Sequence, residues 1–141
     1  MITTKPVPQA DDFLMQPFWD HARAHRLSIQ RCDACGDGHF PPSPVCPHCL
    51  SEQQSWDVVS GRGTLLSWVT FHRAYWAGFV PDLPYQCCLV RLAEGPLMIG
   101  NFAGERPKAL AEGLPVRAVF QDMPEGFTLP KFVLTEPAKP V

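Results

Sequence analysis

The chain has 141 residues, 45% of them hydrophobic, with 12 Lys and Arg against 14 Asp and Glu, for a net charge of −2. That length fits one ordinary domain or two very small ones, and the apolar content excludes a disordered chain. Residues 1–56 carry four bases against six acids and residues 57–141 carry eight of each, so neither half has the basic surplus that sequence-independent nucleic-acid binding requires. No apolar run approaches the ~18–20 residues needed to cross a bilayer, and no apolar leader follows Met1. The expectation is a cytoplasmic protein with no membrane partner. In a reducing compartment its six cysteines read as metal ligands or buried thiols rather than disulfides.

Residues 1–10 are polar and hold Pro6 and Pro8, and are expected to form a tail. Pro17 suits the first turn of a helix, where its missing N–H has no partner to lose. Asp20 is expected in the same turn, opposite the positive helix end. Phe18, Ala22 and His25 fall at i, i+4 and i+7, which predicts a helix over about 17–25. Phe18 and Trp19 are expected on its exposed or half-exposed side, as a partner surface, with the alternative that the helix simply packs on the ribbon. Residues 27–31 alternate apolar and polar and read as a strand. Residues 36–45, with two glycines and three prolines, read as a loop or loosely paired hairpin, and a polar stretch runs on to Trp56.

After Gly61-Arg62-Gly63 the pattern changes to five apolar runs, at about 64–72, 85–92, 96–102, 115–121 and 127–134. In the first, alternation puts Leu66, Trp68 and Thr70 on one face and Leu65, Val69 and Phe71 on the other. In the second, Cys88, Val90 and Leu92 oppose Cys87, Leu89 and Arg91. Both faces carry apolar groups, which suits a small barrel that packs its interior and binds something outside. A helical turn is expected around Leu110 and Ala111, ended by Gly113.

Cys32-x-x-Cys35 and Cys46-x-x-Cys49 are two knuckles separated by ten residues. Each pair can turn both sulfurs to one point, and together they complete a tetrahedron of four thiolates. A closed set leaves no position for a catalytic water, so the expected role is structural. Zinc is the expected ion and iron the runner-up. A ribbon of about 30 residues has too little core of its own, and a metal substitutes for one. Cys87 and Cys88 face opposite sides of one strand and cannot share an ion. They read as buried thiols, and His48 as a solvent-facing imidazole.

The order of these features resembles the DUF35 family. The matching stretches are Pro17–Trp19, Leu27–Gly36, Phe40–Pro42, Cys46–Cys49, Trp56, Gly61–Gly63, Pro84-Tyr85, Leu92–Gly95 and Gly113–Val116, spread over residues 13–134. One departure is Leu50, where many such knuckles place a glycine that tolerates positive φ. The resemblance implies a mainly β protein. It implies an N-terminal tail and helix over 1–26, a rubredoxin-like zinc ribbon over 27–56, a five-stranded OB-fold barrel over 57–136 and a tail over 137–141. It also implies an acyl-CoA-associated protein that accompanies a thiolase-like, aldolase-like or MaoC-like hydratase enzyme of lipid or steroid metabolism. In such proteins the OB-fold is proposed to bind the acyl-CoA, and the ribbon and helices to contact the enzyme.

The residues themselves supply a candidate ligand surface. Trp68, Phe71, Tyr75, Trp76 and Phe79 lie close together in sequence, where a barrel mouth would place them against an acyl chain or adenine ring. His72 and Arg73 could meet a pantetheine amide or a phosphate. The alternative is that Trp68 and Phe71 are core, with the others capping the barrel. An OB module binding nucleic acid is a second reading; the aromatics suit stacking, but the charge balance does not suit a backbone groove. No GxSxG elbow, HExxH helix or dinucleotide fingerprint is present, so independent catalysis is not expected.

Overall fold

The computed structural model describes residues 5–9 and 11–135. The tail expected over 137–141 and the first four residues of the N-terminal tail lie outside the described residues.

Among the described residues the α-helix is α1 (Gln16–Arg23), which carries Pro17 in its first turn. The first turn holds no acidic residue. Asp20 sits one turn further in, where its carboxylate accepts a hydrogen bond from Gln16 Nε2 at 2.9 Å, so its charge supports the helix through an i,i+4 pair rather than at the dipole. The helix is shorter than its apolar spacing predicts. His25 takes φ 59°, a left-handed conformation that no helix continues through.

β1 (Leu27–Cys32), β2 (Gly38–His39) and β3 (Gln54–Val59) form an antiparallel sheet in the order β2-β1-β3. β3 was not foreseen. It pairs with β1 along six positions, from Leu27 with Val59 to Cys32 with Gln54, and crosses the division expected at 56/57. Only Trp56 and Val59 of β3 pack against the core, which is why its residues read as a polar stretch.

The second sheet holds β4 (Arg62–Phe71), β5 (Tyr85–Leu92), β6 (Leu97–Asn101), β7 (Pro115–Asp122) and β8 (Thr128–Leu134), in the order β6-β5-β4-β7-β8. A parallel bridge between Phe102 and Phe132, with the Ala103 N–H donating to the Phe132 carbonyl at 2.9 Å, joins the two end strands and nearly closes the barrel. This is the five-stranded OB architecture that the family resemblance implies, built from the five runs. Gly100 makes the closure possible, because a Cβ there would stand 2.9 Å from the Phe132 ring.

The alternation expected along β4 fails in its middle. Leu65 pairs with Val90 but Ser67 pairs with Leu89, so Leu66 is an extra residue in a β-bulge. A bulge inverts the parity of everything after it. Leu65 is fully buried while Val69, expected on the same face, is 56% exposed, and Trp68 packs on the core instead. In β5 the expected alternation holds: Cys88, Val90 and Leu92 are all buried. Two further differences lie in the connections. A 3-10 helix, Ala77–Asp82, leads into β5. The 103–114 segment holds a turn at 112–113 and no helical turn around Leu110.

Ribbon and barrel share one core. Phe18, Leu27 and Ile29 from α1 and β1 join Leu65, Cys88, Val90, Leu92, Met98, Val116 and Phe132 from the barrel in one buried cluster. Phe18, expected on the exposed side of its helix, is only 4% exposed, because it fills the gap between the two sheets. Burying one such ring contributes about 2–3 kcal/mol.

A polar clamp supports the same junction. The His25 ring stacks on Phe120 at 5.4 Å, and its Nε2 lies 3.3 Å from Asp122 Oδ1, which also accepts from the Thr128 hydroxyl at 2.8 Å. The Thr128 hydroxyl, and then His25, hold the Asp122 carboxyl below its ordinary 3.8. A carboxyl lowered on folding stabilises the native state above its unfolded pKa, and that contribution is lost as pH falls through the folded value. Asp122→Asn is therefore expected to lower stability at neutral pH, with the gap to the parent protein closing below pH 3.8. Urea unfolding across pH checks this, and a gap that stays constant down to acid pH contradicts it.

Candidate functional site

Two knuckles of matching backbone geometry bring four sulfurs together. In the first, at the end of β1, the Gly36 N–H donates to the Cys32 carbonyl and the Cys32 N–H to the Asp37 carbonyl, both at 2.9 Å. In the second, the Leu50 N–H donates to the Cys46 carbonyl and the Cys46 N–H to the Ser51 carbonyl, both at 2.8 Å. Gly36 has φ 79° and Leu50 has φ 65°, so Leu50 performs the turn that glycine performs in the first knuckle. Backbone N–H groups also point at sulfur, from Cys35 to Cys32 Sγ at 3.4 Å and from His48 to Cys46 Sγ at 3.3 Å.

The four sulfurs of Cys32, Cys35, Cys46 and Cys49 all lie within 4.8 Å of one another. Cys32 and Cys49 are 3.5 Å apart, and Cys35 and Cys46 are 3.7 Å apart. Zinc at ~2.3 Å from four thiolates sets sulfur separations near ~3.8 Å, so the donor set and its spacing fit that ion. The electrostatics point the same way. The Cys35 N–H leads in lowering the Cys32 thiol to about 6. At Cys35 the Asp37 N–H favours the thiolate, but burial and the three neighbouring sulfurs push it up to about 12. One thiolate is easy here and four are not, unless a cation supplies the opposite charge. Both knuckles leave the His48 side chain exposed. Cys88 is buried, its Sγ 3.4 Å from the Gly100 carbonyl oxygen, and burial pushes its thiol up to about 11. Cys87 lies on the other face beside Asn101 Nδ2.

A cleft of ≈ 620 Å³ opens at the end of the barrel where β5 and β8 begin and β6 and β7 end. Phe79 and Tyr85 form one wall, with ring centroids 5.4 Å apart. Trp19 from α1 and Phe127 before β8 form another, edge to face at 5.7 Å. Lys131, Arg106, Gln86 and Asn101 add cations and amides, and Lys5 and Asp82 meet at the rim. Burial lowers the Lys131 ammonium below its ordinary value, and the nearby Lys5 charge adds to this. Burial raises the Tyr85 phenol.

The residues expected at this mouth separate into four groups. Phe79 lines the cleft. Phe71 stacks behind Tyr85 at 5.1 Å and meets Tyr75 edge to face at 6.1 Å, with the Arg73 guanidinium over the Tyr75 ring. Trp68 packs on the barrel core, while His72 and Trp76 are exposed away from the cleft lining. Tyr85, Trp19, Phe127, Lys131 and Arg106 were not expected there. Pro84-Tyr85 was visible as a strand start. The others come from three distant segments, α1, the β6–β7 connection and the start of β8, and no local pattern joins them.

A mainly β chain with a four-cysteine ribbon packed on an OB barrel is a zinc-ribbon/OB protein by architecture. Residues 19–53 match the family model described as the ChsH2 rubredoxin-like zinc ribbon domain. Residues 56–121 match that of the ChsH2 C-terminal OB-fold domain. A DUF35 domain-containing scaffold protein of Pyrococcus furiosus is 33% identical over 77% of this chain and 79% of its own length. The 3-oxo-4,17-pregnadiene-20-carboxyl-CoA hydratase alpha subunit of Mycobacterium tuberculosis is 41% identical over 77% of this chain. A probable enoyl-CoA hydratase alpha subunit of Thermomonospora curvata is 37% identical over 82%. The chain spans about a third of the length of those two hydratase subunits, 34% and 36%. Among solved structures, a chain of the Ltp2-ChsH2(DUF35) aldolase superposes with a TM-score of 0.76 at 33% identity, covering 89% of this chain and 97% of that one. The chain belongs to the DUF35 family.

Leu50 gives the second knuckle a direct test. A non-glycine residue in the left-handed region costs roughly 1–2 kcal/mol, and glycine returns about 0.5–1 kcal/mol of that through the unfolded chain. Leu50 is 71% exposed, so little packing is lost. Leu50→Gly is expected to raise stability by about 0.5–1 kcal/mol in denaturant unfolding with excess zinc. A loss of stability contradicts the equivalence of the two knuckles.

Proposed function

We propose that this chain is an accessory acyl-CoA-binding subunit of a thiolase-like, aldolase-like or hydratase-like enzyme acting on lipid or steroid CoA thioesters in the cytoplasm. One zinc ion held by Cys32, Cys35, Cys46 and Cys49 stabilises it. The division into a tail and helix to residue 26, a ribbon over 27–56 and a barrel over 57–136 belongs to this reading, with the three parts acting as one body through their common core.

The observation that carries the reading is the composition of the barrel-end cleft. An acyl-CoA thioester combines an apolar acyl chain, amides, a flat adenine ring and phosphates. The cleft offers ring walls at Trp19, Phe79, Tyr85 and Phe127, amides at Gln86 and Asn101, and cations at Lys131 and Arg106. Apolar walls with a few placed polar groups are the usual make-up of a ligand site. The relatives support the choice of partner: two are hydratase alpha subunits and a third belongs to an aldolase complex. The metal adds no chemistry to the cleft; its four protein ligands leave no open position, and its contribution is to folding. The cleft brings together rings, amides, cations and the carboxylates of Asp82 and Glu125, with no nucleophile paired to a base among these residues, so this reading leaves the chemistry to the partner.

Affinity purification of the tagged chain from its native host, with acyl-CoA in the buffer, tests this. Recovery of a thiolase-like, aldolase-like or hydratase-like enzyme is the expected outcome. Recovery of nucleic acid or ribosomal components, indifferent to acyl-CoA, contradicts it and favours the OB nucleic-acid reading.

A further inference from the structure

The chain brings its own N-terminal segment to the mouth of the cleft. Lys5, Pro6 and Pro8 line it together with Phe79, Asp82 and Lys131. The Lys5 ammonium pairs with the Asp82 carboxylate at the rim and stands 5.0 Å from the centroid of the Phe79 ring. Asp82 has no evident use in holding an anion, and its position beside Lys5 is accounted for by that pair. We infer that residues Lys5–Pro8 form a strap across the cleft, latched by Lys5 between Asp82 and Phe79, and that a ligand enters only when the latch releases.

The chemistry of the segment suits a reversible strap. Pro6 and Pro8 each fix φ, so the segment is already stiff and extended and loses little freedom on docking. An exposed ion pair and one cation–π contact are each weak, so the latch opens readily. Lys131 lines the same cleft as the strap, so release of the strap uncovers its ammonium for an anionic ligand. A closed strap reduces the competent fraction of the protein, and the apparent affinity falls by that fraction. The coverage of the cleft stands on this geometry alone, whereas the competition with acyl-CoA rests on the function proposed above.

Two readouts separate those claims. Lysine acetylation with acetic anhydride, followed by mass spectrometry, reports how open the cleft is without any ligand. Exposed Lys108 serves as the internal reference. Deleting residues 1–8 should raise the Lys131 rate relative to Lys108 by about fivefold, as expected from losing two weak contacts, against the slowing that loss of the Lys5 charge brings by favouring the protonated Lys131; Asp82→Asn in the full chain, which loses the ion pair alone, should raise the rate in the same direction. Titration with coenzyme A should then show a Kd about fivefold tighter for the deletion than for the full chain. An unchanged Lys131 rate in the deletion overturns the strap. Weaker coenzyme A binding after deletion also overturns it, since Lys5 would then be a ligand contact. A raised Lys131 rate with no coenzyme A binding to either form supports the strap and contradicts the acyl-CoA reading of the cleft.

Discussion

Phe18 is the residue on which the arrangement of the two sheets depends. The ribbon is too small to bury a core, and the barrel is incompletely closed, joined at its last edge by the Phe102 and Phe132 bridge. The Phe18 ring lies between them, 5.1 Å from the ring of Phe40 after β2 and in the same buried cluster as Phe132. An apolar ring in that gap removes surface of both units from water at once, so neither is complete without the other. The four cysteines act on the same junction from the far end of β1. Cys32 closes that strand, and Ile29, three residues earlier, is in the shared core.

The cleft inherits its shape from this junction. Trp19 is the next residue along α1, and it reaches the cleft only because Phe18 fixes the helix against the barrel. Its contact with Phe127 ties the helix to the β7–β8 connection, and the His25 and Asp122 clamp does so again one turn later. The ribbon, packed in one core with α1, thus still bears on one of the cleft walls. A metal held by the ribbon therefore bears on a cleft it never touches.

Much of the architecture was legible because its signals are local. Two Cys-x-x-Cys pairs and five apolar runs bounded by Gly and Pro announce a ribbon and a small barrel, and Leu50 stood out as a residue in a glycine's place. What was not legible depends on tertiary pairing. The bulge at Leu66 has no mark in the sequence, yet it exchanges the roles of Trp68 and Val69. β3 reads as polar because few of its side chains reach the core. The helix ends before His25 because that residue turns left-handed, although its spacing continues the apolar stripe. The aromatic cluster was read along one segment, whereas the cleft is assembled from the N-terminal segment, α1, the β4–β5 connection, the β6–β7 connection and β8. Lys131 and Arg106 become neighbours of Phe79 only once the barrel has closed.

The most direct measurement on the central claim, that a metal centre and a shared core make ribbon, helix and barrel one body, is metal content combined with unfolding before and after chelation. Apparent zinc-binding energies of ~10–16 kcal/mol at such sites match or exceed the typical ~5–15 kcal/mol stability of a whole domain. The purified chain is predicted to carry one equivalent of zinc and to unfold in a single transition by tryptophan fluorescence and circular dichroism. Chelation should abolish the ribbon and the barrel signals together. A chain that lacks stoichiometric metal, or whose barrel unfolds at the same midpoint with and without it, would contradict the claim.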